Sequence, residues 1–568
     1  MLKKIIFILS PKQIKGIVLI SLLLFLGMIL EAFGLGVLLP IISFILEPET
    51  LINNSKQFLS PELQNSLLNL NQRKYLPLIL LSIFVGVYFF KFLYLAFLTY
   101  KQNNFIAKLN NEFCLRLVSK YLRSNYKFFI NNNSSLLLKN VQIETHNVNV
   151  YFNCLIVIFI EIGLITAIIT TLIFIEPFAA ISVFFFLGGL ALVFYRFTKN
   201  RLQNLGKIKQ KIDADISKRL IEAFEGIKEI KILMKESFIL ESLKNSYNSQ
   251  AKIISNHQTI VQLPRYYLEF ISALGISFFV IILLLNNSDT TKIISTLALF
   301  VAATFRILPS LNKIIYSFQN LKYYRSSLDL IYNEFKDEMV SDDKDDKRLK
   351  LTQKISINNL MFNYSDKKDL FKNLNFEIIK GETIGIIGES GIGKSSLVNL
   401  IIGLFDPVKG KIKVDNKDLS YNKKAWLKNI GYVSQDIFLF DDTILNNIAF
   451  GSEKKDIDLK KINNIIKITS LDNYIESLPL KLNTLVGEKG VKISGGQKQR
   501  LGIARALYTD PEILIFDEAT SALDEITEKK LLESIYSFKK TKTIILISHD
   551  IDILDKCDKI LDLNNFGT

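Results

Sequence analysis

The sequence predicts an α-helical membrane domain of six spans followed by an α/β domain built around a phosphate-binding loop. Three observations predict it. Apolar side chains make up 49% of the 568 residues, and most of that mass lies before Phe318. A glycine-rich loop, Gly388-Glu389-Ser390-Gly391-Ile392-Gly393-Lys394-Ser395, separates a short apolar run (Thr383 to Ile387) from an amphipathic one, the context of a strand, a loop and a helix. Between the two halves hydropathy collapses into a charged stretch, Asp337 to Lys350.

The N-terminal segment 1–12 has Lys3, Lys4 and Lys12 around Ile5 to Leu9. It lacks a full apolar core and a small-residue cleavage site, so it reads as a short elbow helix on the inner membrane surface rather than a leader. The membrane domain is read over 13–330. Six apolar runs cover roughly Gly16 to Leu46, Leu76 to Tyr100, Phe152 to Ile175, Phe178 to Phe197, Val261 to Leu285 and Ile293 to Phe318. Each reaches the length of about 20 residues that hydrocarbon demands. The net charge is +15, but the cations lie between spans, which excludes a nucleic-acid protein in favour of cationic inner loops. The segments 101–151 and 198–260 are rich in Lys and Arg, and the other connections are not. By the positive-inside rule both termini are cytoplasmic. The helical periodicity of Ala107 to Tyr126 and of Leu202 to Ile239 carries spans two to five onward into the cytoplasm. In the outer segment, Ser60-Pro61-Glu62 starts a helix whose Leu63, Leu67 and Leu70 share one side, fit to rest on the outer leaflet. Cys114, Cys154 and Cys557 are scattered and form neither a disulfide framework nor a metal site.

A charged linker (331–350) leads to the second domain, 351–568, of about 220 residues, ample for its own core. The loop's glycines let successive N–H groups turn inward onto phosphate oxygens, and the helix start adds its positive end. Lys394 then reaches the β- and γ-phosphates, and the Ser395 hydroxyl takes Mg²⁺. Glu389, Ser390, Ile392 and Ser396 complete the cradle. Tyr364, just ahead of the strand entering the loop, is placed to stack on adenine. Apolar strand Ile513-Leu514-Ile515-Phe516 ends in Asp517-Glu518, which sets Asp517 beside the metal and Glu518 where it polarises the attacking water. A capped strand end with exposed acids is the plainer alternative. Ser494-Gly495-Gly496-Gln497 opens another helix and is a second anion cradle that needs a second phosphate to hold.

The phosphate loop, Gln435 after a strand, Ser494-Gly495-Gly496-Gln497, Asp517-Glu518, Ser521-Ala522-Leu523-Asp524 and His549 follow one another as in the ATPase domains of ABC transporters. With six N-terminal spans, the whole chain resembles an exporter-type half-transporter. The resemblance implies ATP and Mg²⁺ as ligands and a homodimer. In it, each ATP lies between one subunit's phosphate loop and the other's Ser494 to Gln497, with Asp524 nearby. It also implies that Gln435 links the Mg²⁺ site to the membrane domain and that His549 contacts the γ-phosphate. Glu488, in Thr484-Leu485-Val486-Gly487-Glu488, is similar to the exporter loop that touches the partner's cytoplasmic helix. Ile493 departs from the usual leucine, and Asp550 stands where many exporters carry arginine.

Cations inside the spans bear on cargo. Lys91, Arg265, Arg306 and Lys313 lie at middle to inner depth, where each costs several kcal/mol unless paired or wet. One reading is an anionic head group, a phosphate or pyrophosphate, drawn to a cationic cavity. The other is snorkelling, or pairing with Glu31, Glu161 or Glu269. The stretches Leu263 to Glu269, Phe305 to Lys313 and Ser326 to Asp329 resemble the PglK-type flippases. That resemblance implies a lipid-linked oligosaccharide substrate carried across the bacterial inner membrane for protein N-glycosylation, with the outer helix engaging the polyprenyl tail among membrane lipids. An exporter of peptide or lipopolysaccharide core, and an ATP-gated channel or regulatory subunit, are the alternatives. Intact Glu518 and His549 argue against the channel.

Overall fold

The computed structural model describes residues 2–46, 76–175, 177–285, 290–336, 348–364, 369–520 and 523–565. The outer segment 47–74, with its expected helix, and the pair Ser521-Ala522 lie outside the described residues. The chain divides into two compact units, 1–124 with 128–340 and 125–127 with 341–568.

In the first unit, α1 (Leu2–Ile8) precedes six long helices: α2 (Pro11–Leu46), α3 (Leu76–Arg123), α4 (Thr145–Ile175), α5 (Pro177–Glu225), α6 (Glu236–Leu285) and α7 (Thr290–Tyr323). A shorter helix, α8 (Arg325–Lys336), closes the unit. Each expected span falls within one of the six. Helices α3, α5 and α6, of 48 to 50 residues, run far past the apolar stretch, as the periodicity of the inner loops predicts. Among the described residues, windows within 11–30, 81–123 and 134–170 are long and apolar enough to cross a membrane.

The inner ends pack as a helical core. Leu109, Phe113 and Leu117, one turn apart on α3, are buried with Val148, Tyr151 and Phe152 of α4 and Leu328, Ile331 and Phe335 of α8. Helix α1 belongs to this core: Ile5, Ile8 and Leu9 are buried in it, Lys4 pairs with Asp329 at 2.6 Å, and Arg116 donates to the Ile8 carbonyl at 2.8 Å. The elbow therefore grips α8 with one face, while Lys3, Ile6 and Phe7 are exposed. Before α4, a π turn (Asn140–Glu144) brings Lys139 against Glu144 at 2.8 Å, both fully buried. A five-residue separation is what a π turn aligns.

Close backbone approach is needed at Gly206 on α5. A Cβ there would stand 1.9 Å from the Tyr323 carbonyl oxygen at the end of α7.

The second unit has two sheets. One is antiparallel, in the order β2 (Phe371–Ile379), β1 (Lys354–Phe362), β4 (Lys409–Val414), β5 (Lys417–Asp418). The other is parallel, in the order β6 (Ile430–Val433), β7 (Ile513–Asp517), β8 (Thr543–Ile547), β3 (Thr383–Ile387), β9 (Lys559–Asp562). Strands β7 and β8 are buried throughout and read as unbroken apolar runs, the mark of a parallel sheet covered on both faces. Trp426 is wholly buried and donates its Nε1–H to the Ile401 carbonyl at 2.8 Å. The segment read as linker is ordered at both ends. Residues up to Lys336 complete α8, while Leu349 is buried in the second unit and its N–H bonds the Ala425 carbonyl.

Gly206→Ala is expected to destabilise the first unit by about 1–3 kcal/mol, since backbone rather than a flexible side chain must yield. A lowered thermal midpoint of the purified full-length chain checks it.

Candidate nucleotide site and membrane cations

Parallel strands deliver their carboxyl ends to one edge, which is where open α/β sheets bind ligands. Here β3 runs into the phosphate loop, β6 into Gln435, β7 ends at Asp517, and β8 runs into His549. The register sets Asp517 beside Ile547 and Ile386 beside Ile547, so these ends are neighbours by strand pairing alone.

In the loop, Gly388, Gly391 and Gly393 have φ of +154°, +86° and +109°, a backbone that side chains disfavour. A Cβ on Gly393 would also stand 2.8 Å from Leu370. Helix α9 (Lys394–Ile402) begins at the next residue. Lys394 is buried: it donates to the Gly388 carbonyl (2.8 Å) and the Glu389 carbonyl (3.2 Å), and its Nζ lies 3.2 Å from His549 Nε2. The same Nε2 is 2.9 Å from Glu518 Oε1. One ring nitrogen serves one of them at a time: bare, it accepts from Lys394; protonated, it donates to Glu518. Gln435 Nε2 donates to the other carboxylate oxygen, Glu518 Oε2, at 2.6 Å. Glu518 itself has φ of +50°, a left-handed conformation costing a non-glycine about 1–2 kcal/mol. Its N–H is tied to the Ile547 carbonyl at 3.1 Å, which holds the strained residue in place.

Asp517 is buried, and that burial pushes its carboxyl above the usual carboxylate range, against the pull of the Ser395 and Tyr432 hydroxyls. Tyr432 Oη donates to Asp517 Oδ2 at 3.3 Å. Ser395 Oγ, Asp517 and Gln435 offer hard oxygens suited to Mg²⁺. Among the described residues no cluster of three or more His, Cys, Asp or Glu side chains forms, so a cation here would complete its shell with phosphate oxygen and water. Loop, helix start, lysine and oxygen donors together fit a Mg²⁺-nucleotide.

Other predicted residues are engaged locally. The Tyr364 ring is exposed, and its hydroxyl lies 2.6 Å from Ser396 Oγ. Ser494 and Gln497 form a capping box on α10 (Gly495–Tyr508), each side chain accepting the other's backbone N–H. Asp524 caps α11 (Glu525–Tyr536) by accepting the Thr527 N–H at 3.0 Å. Among the described residues no hydrogen bond joins Ser494, Gly495, Gly496, Gln497 or Asp524 to the phosphate loop. The structure thus gathers Lys394, Ser395, Gln435, Asp517, Glu518 and His549, and leaves the second cradle apart.

Residues 371–521 match the family model for the ABC transporter. The ATP-binding/permease protein YgaD of Bacillus subtilis is 32% identical over 435 residues, 75% of this chain and 71% of that protein. This chain belongs to the ABC transporter family. An ATP-dependent lipid A-core flippase of Saccharophagus degradans is 30% identical over 388 residues, 67% of this chain but 63% of the flippase. Its counterpart in Paraburkholderia xenovorans is 29% identical over 64% of this chain and 61% of that protein. The chain therefore spans somewhat less than two thirds of those flippases. A solved bacterial Atm1-family ABC exporter with ATP bound has the same fold, with a TM-score of 0.80 over 97% of this chain and 93% of that one at 19% identity.

The membrane cations of this ABC transporter are differently placed. Lys91 is buried on α3, its Nζ 4.6 Å from the centre of the Tyr88 ring. Arg265 is exposed and pairs with Glu269 one turn on, at 2.9 Å. Lys313, with its side chain 62% exposed, pairs with buried Glu161 at 2.7 Å. The side chains of Arg306 and Glu31 lie outside the described residues.

Two contributors escape sequence reasoning, Tyr432 and Asn564, and for a third, Asp550, the sequence marks the position but not the role. Tyr432 on β6 reaches Asp517 across the sheet. Asn564, in the turn after β9, accepts the Glu389 N–H at 3.1 Å and so fixes the first step of the loop. Asp550, the departure from arginine, accepts the Asp552 N–H at 2.9 Å and opens the turn Asp552–Leu554. Only Tyr432 had a readable signal, an aromatic hydroxyl on the strand three residues before Gln435.

Glu518→Gln keeps the bond geometry with Gln435 but removes the base. Phosphate release should fall by about 10²-fold or more, while a fluorescent ATP analogue still binds.

Proposed function

We propose that this ABC transporter hydrolyses ATP to flip an anionic lipid head group from the inner to the outer leaflet. The cargo is a polyprenyl-pyrophosphate-linked oligosaccharide for protein N-glycosylation. The working unit is a homodimer in the bacterial inner membrane, with termini and ATPase domain cytoplasmic. The observation that carries the hydrolytic half is the set of four strand ends converging on Lys394, Asp517, Glu518 and His549. Glu518 takes a proton from the water that attacks the γ-phosphorus as the bond to the ADP oxygen breaks. Lys394 offsets phosphate charge, and His549 senses the γ-phosphate. Ser395, Asp517 and Gln435 would hold Mg²⁺, which would supply charge neutralisation to the phosphates. In the dimer, Ser494 to Gln497 of the partner close each site, and separation of the domains after hydrolysis resets the spans.

The cargo half rests on cations in the spans. Lys313 extends from α7 with most of its side chain exposed while its ammonium pairs with buried Glu161, so in hydrocarbon its charge depends on an anion at hand, a place that an anionic head group can take over. The resemblance of the surrounding stretches to PglK-type flippases selects the pyrophosphate-linked glycan. A second reading, lipid A-core as cargo, is favoured by the relatives named lipid A-core flippases.

With the chain in proteoliposomes, a polyprenyl-pyrophosphate oligosaccharide is expected to stimulate ATP turnover and to be translocated. Replacing Arg306 and Lys313 by alanine should abolish translocation. Stimulation by lipid A alone transfers the assignment to the second reading, and normal translocation by the double variant ends the cation argument.

A further inference from the structure

The pair between Lys313 and Glu161 is unequal. Glu161 Oε1 meets Lys313 Nζ at 2.7 Å, with Glu161 6% exposed and Lys313 62% exposed. Among the described residues Glu161 Oε2 has no hydrogen-bond partner although it is buried. A carboxylate inside a span with one oxygen unmet is costly, but Glu144 of the fully buried Lys139 pair is no better satisfied; what sets the Lys313 pair apart is that only its acid is buried. Glu161 is anchored on α4, whose neighbours Ile158 and Ile165 are buried, while Lys313 is a long arm on α7 with its head at the surface of the bundle. The fixed partner is the acid and the movable one is the base.

We infer that Glu161 is a counter-ion latch: it holds the Lys313 ammonium until an anionic lipid head group takes that ammonium over, and so sets the cargo affinity and the charge selectivity of the site. This rests on the cation reading above and goes beyond it by assigning a role to an acid which no sequence motif marks. The latch also discriminates. A neutral lipid has nothing to exchange for the carboxylate and leaves the pair closed, whereas a phosphate or pyrophosphate competes for the ammonium on equal terms. Because the pair spans α4 and α7, its opening releases one tie between these two helices.

The energetic consequence follows from competition. If most copies hold Lys313 on Glu161, the apparent cargo affinity is reduced by the fraction released, and removing the carboxylate restores it. The test uses the full-length chain in nanodiscs, with undecaprenyl pyrophosphate as probe and undecaprenol as its uncharged control. The apparent dissociation constant is read from tryptophan-independent lipid binding by microscale thermophoresis and from stimulation of ATP turnover. Glu161→Gln should tighten the pyrophosphate about fivefold or more and leave undecaprenol unchanged. Lys313→Ala should weaken the pyrophosphate about tenfold. The double variant should match Lys313→Ala, since the latch acts only through that lysine. If Glu161→Gln does not fold, Glu161→Met, close in volume and uncharged, carries the same expectation.

Unchanged or weaker binding in the Glu161 variants, with Lys313→Ala still weakened, overturns the latch and leaves the cargo reading standing. No effect of Lys313→Ala overturns both. Equal tightening of undecaprenol shows that the carboxylate acts on lipid generally, and overturns the charge exchange.

Discussion

Burial of the Asp517 carboxylate is the constraint around which the nucleotide unit is organised. Strand β7 is apolar from Ile513 to Phe516 because both faces are covered, and the same covering desolvates the acid at its end. An isolated buried carboxylate costs several kcal/mol, so it must find donors. Ser395 and Tyr432 supply hydroxyls, and Lys394 supplies charge nearby. The donors come from two elements, the start of α9 and strand β6, so satisfying the acid registers both against β7. The adjoining Glu518 uses a left-handed backbone to face the other way, toward Gln435 and His549. Two consecutive acids acquire separate tasks because the backbone reverses between them.

What could be read from the sequence divides along the range of the interactions. The phosphate loop, the strand ending at Asp517-Glu518 and the long apolar helices are written in contiguous residues, where glycine positions, apolar runs and periodicity suffice. Pairings between distant positions are harder to read. Charge and depth in the spans suffice to name Glu161 among the candidate partners of the cations, but not to assign it to Lys313, 152 residues away. Tyr432 and Asp517 are 85 apart and Asn564 reaches Glu389 across 175, and nothing local in those stretches signals the partner, since the pairing is set by how strands are ordered in space. The elbow shows the same limit from another side. Its lysines and isoleucines match a helix on a membrane surface, yet the apolar face it buries is spent on α8, which a reading of segment 1–12 alone has no means to see. The charged linker likewise looks structureless by composition, although Leu349 is drawn into the second unit as an ordinary core residue.

The signature at Ser494 to Gln497 shows what local folding chemistry asks of these residues. The capping box satisfies Ser494 and Gln497 within their own helix and fixes the start of α10. A helix start of this kind is also where an anion is favoured, so the capping chemistry and the proposed binding role call for compatible residues.

Comparing two lysine–glutamate pairs of the membrane unit separates structure from function. Lys139 and Glu144 are joined at 2.8 Å with both side chains almost wholly buried, their alignment enforced by a π turn and their exchange with any outside ion blocked. Such a pair has a structural role: removing one member would strand the other in the core. Lys313 and Glu161 are as close, at 2.7 Å, but only the acid is buried. The base can swing away without exposing new apolar surface, because its own side chain is already mostly outside the bundle. Equal distances thus hide unequal exposure, and it is the exposed cation that the proposed cargo could reach. By the same criterion Arg265, exposed and bonded one turn along its own helix to exposed Glu269, is held only by a local surface pair. The gradation from locked to latched to loosely held cations gives the membrane unit a graded set of positive charges rather than a uniform cationic lining.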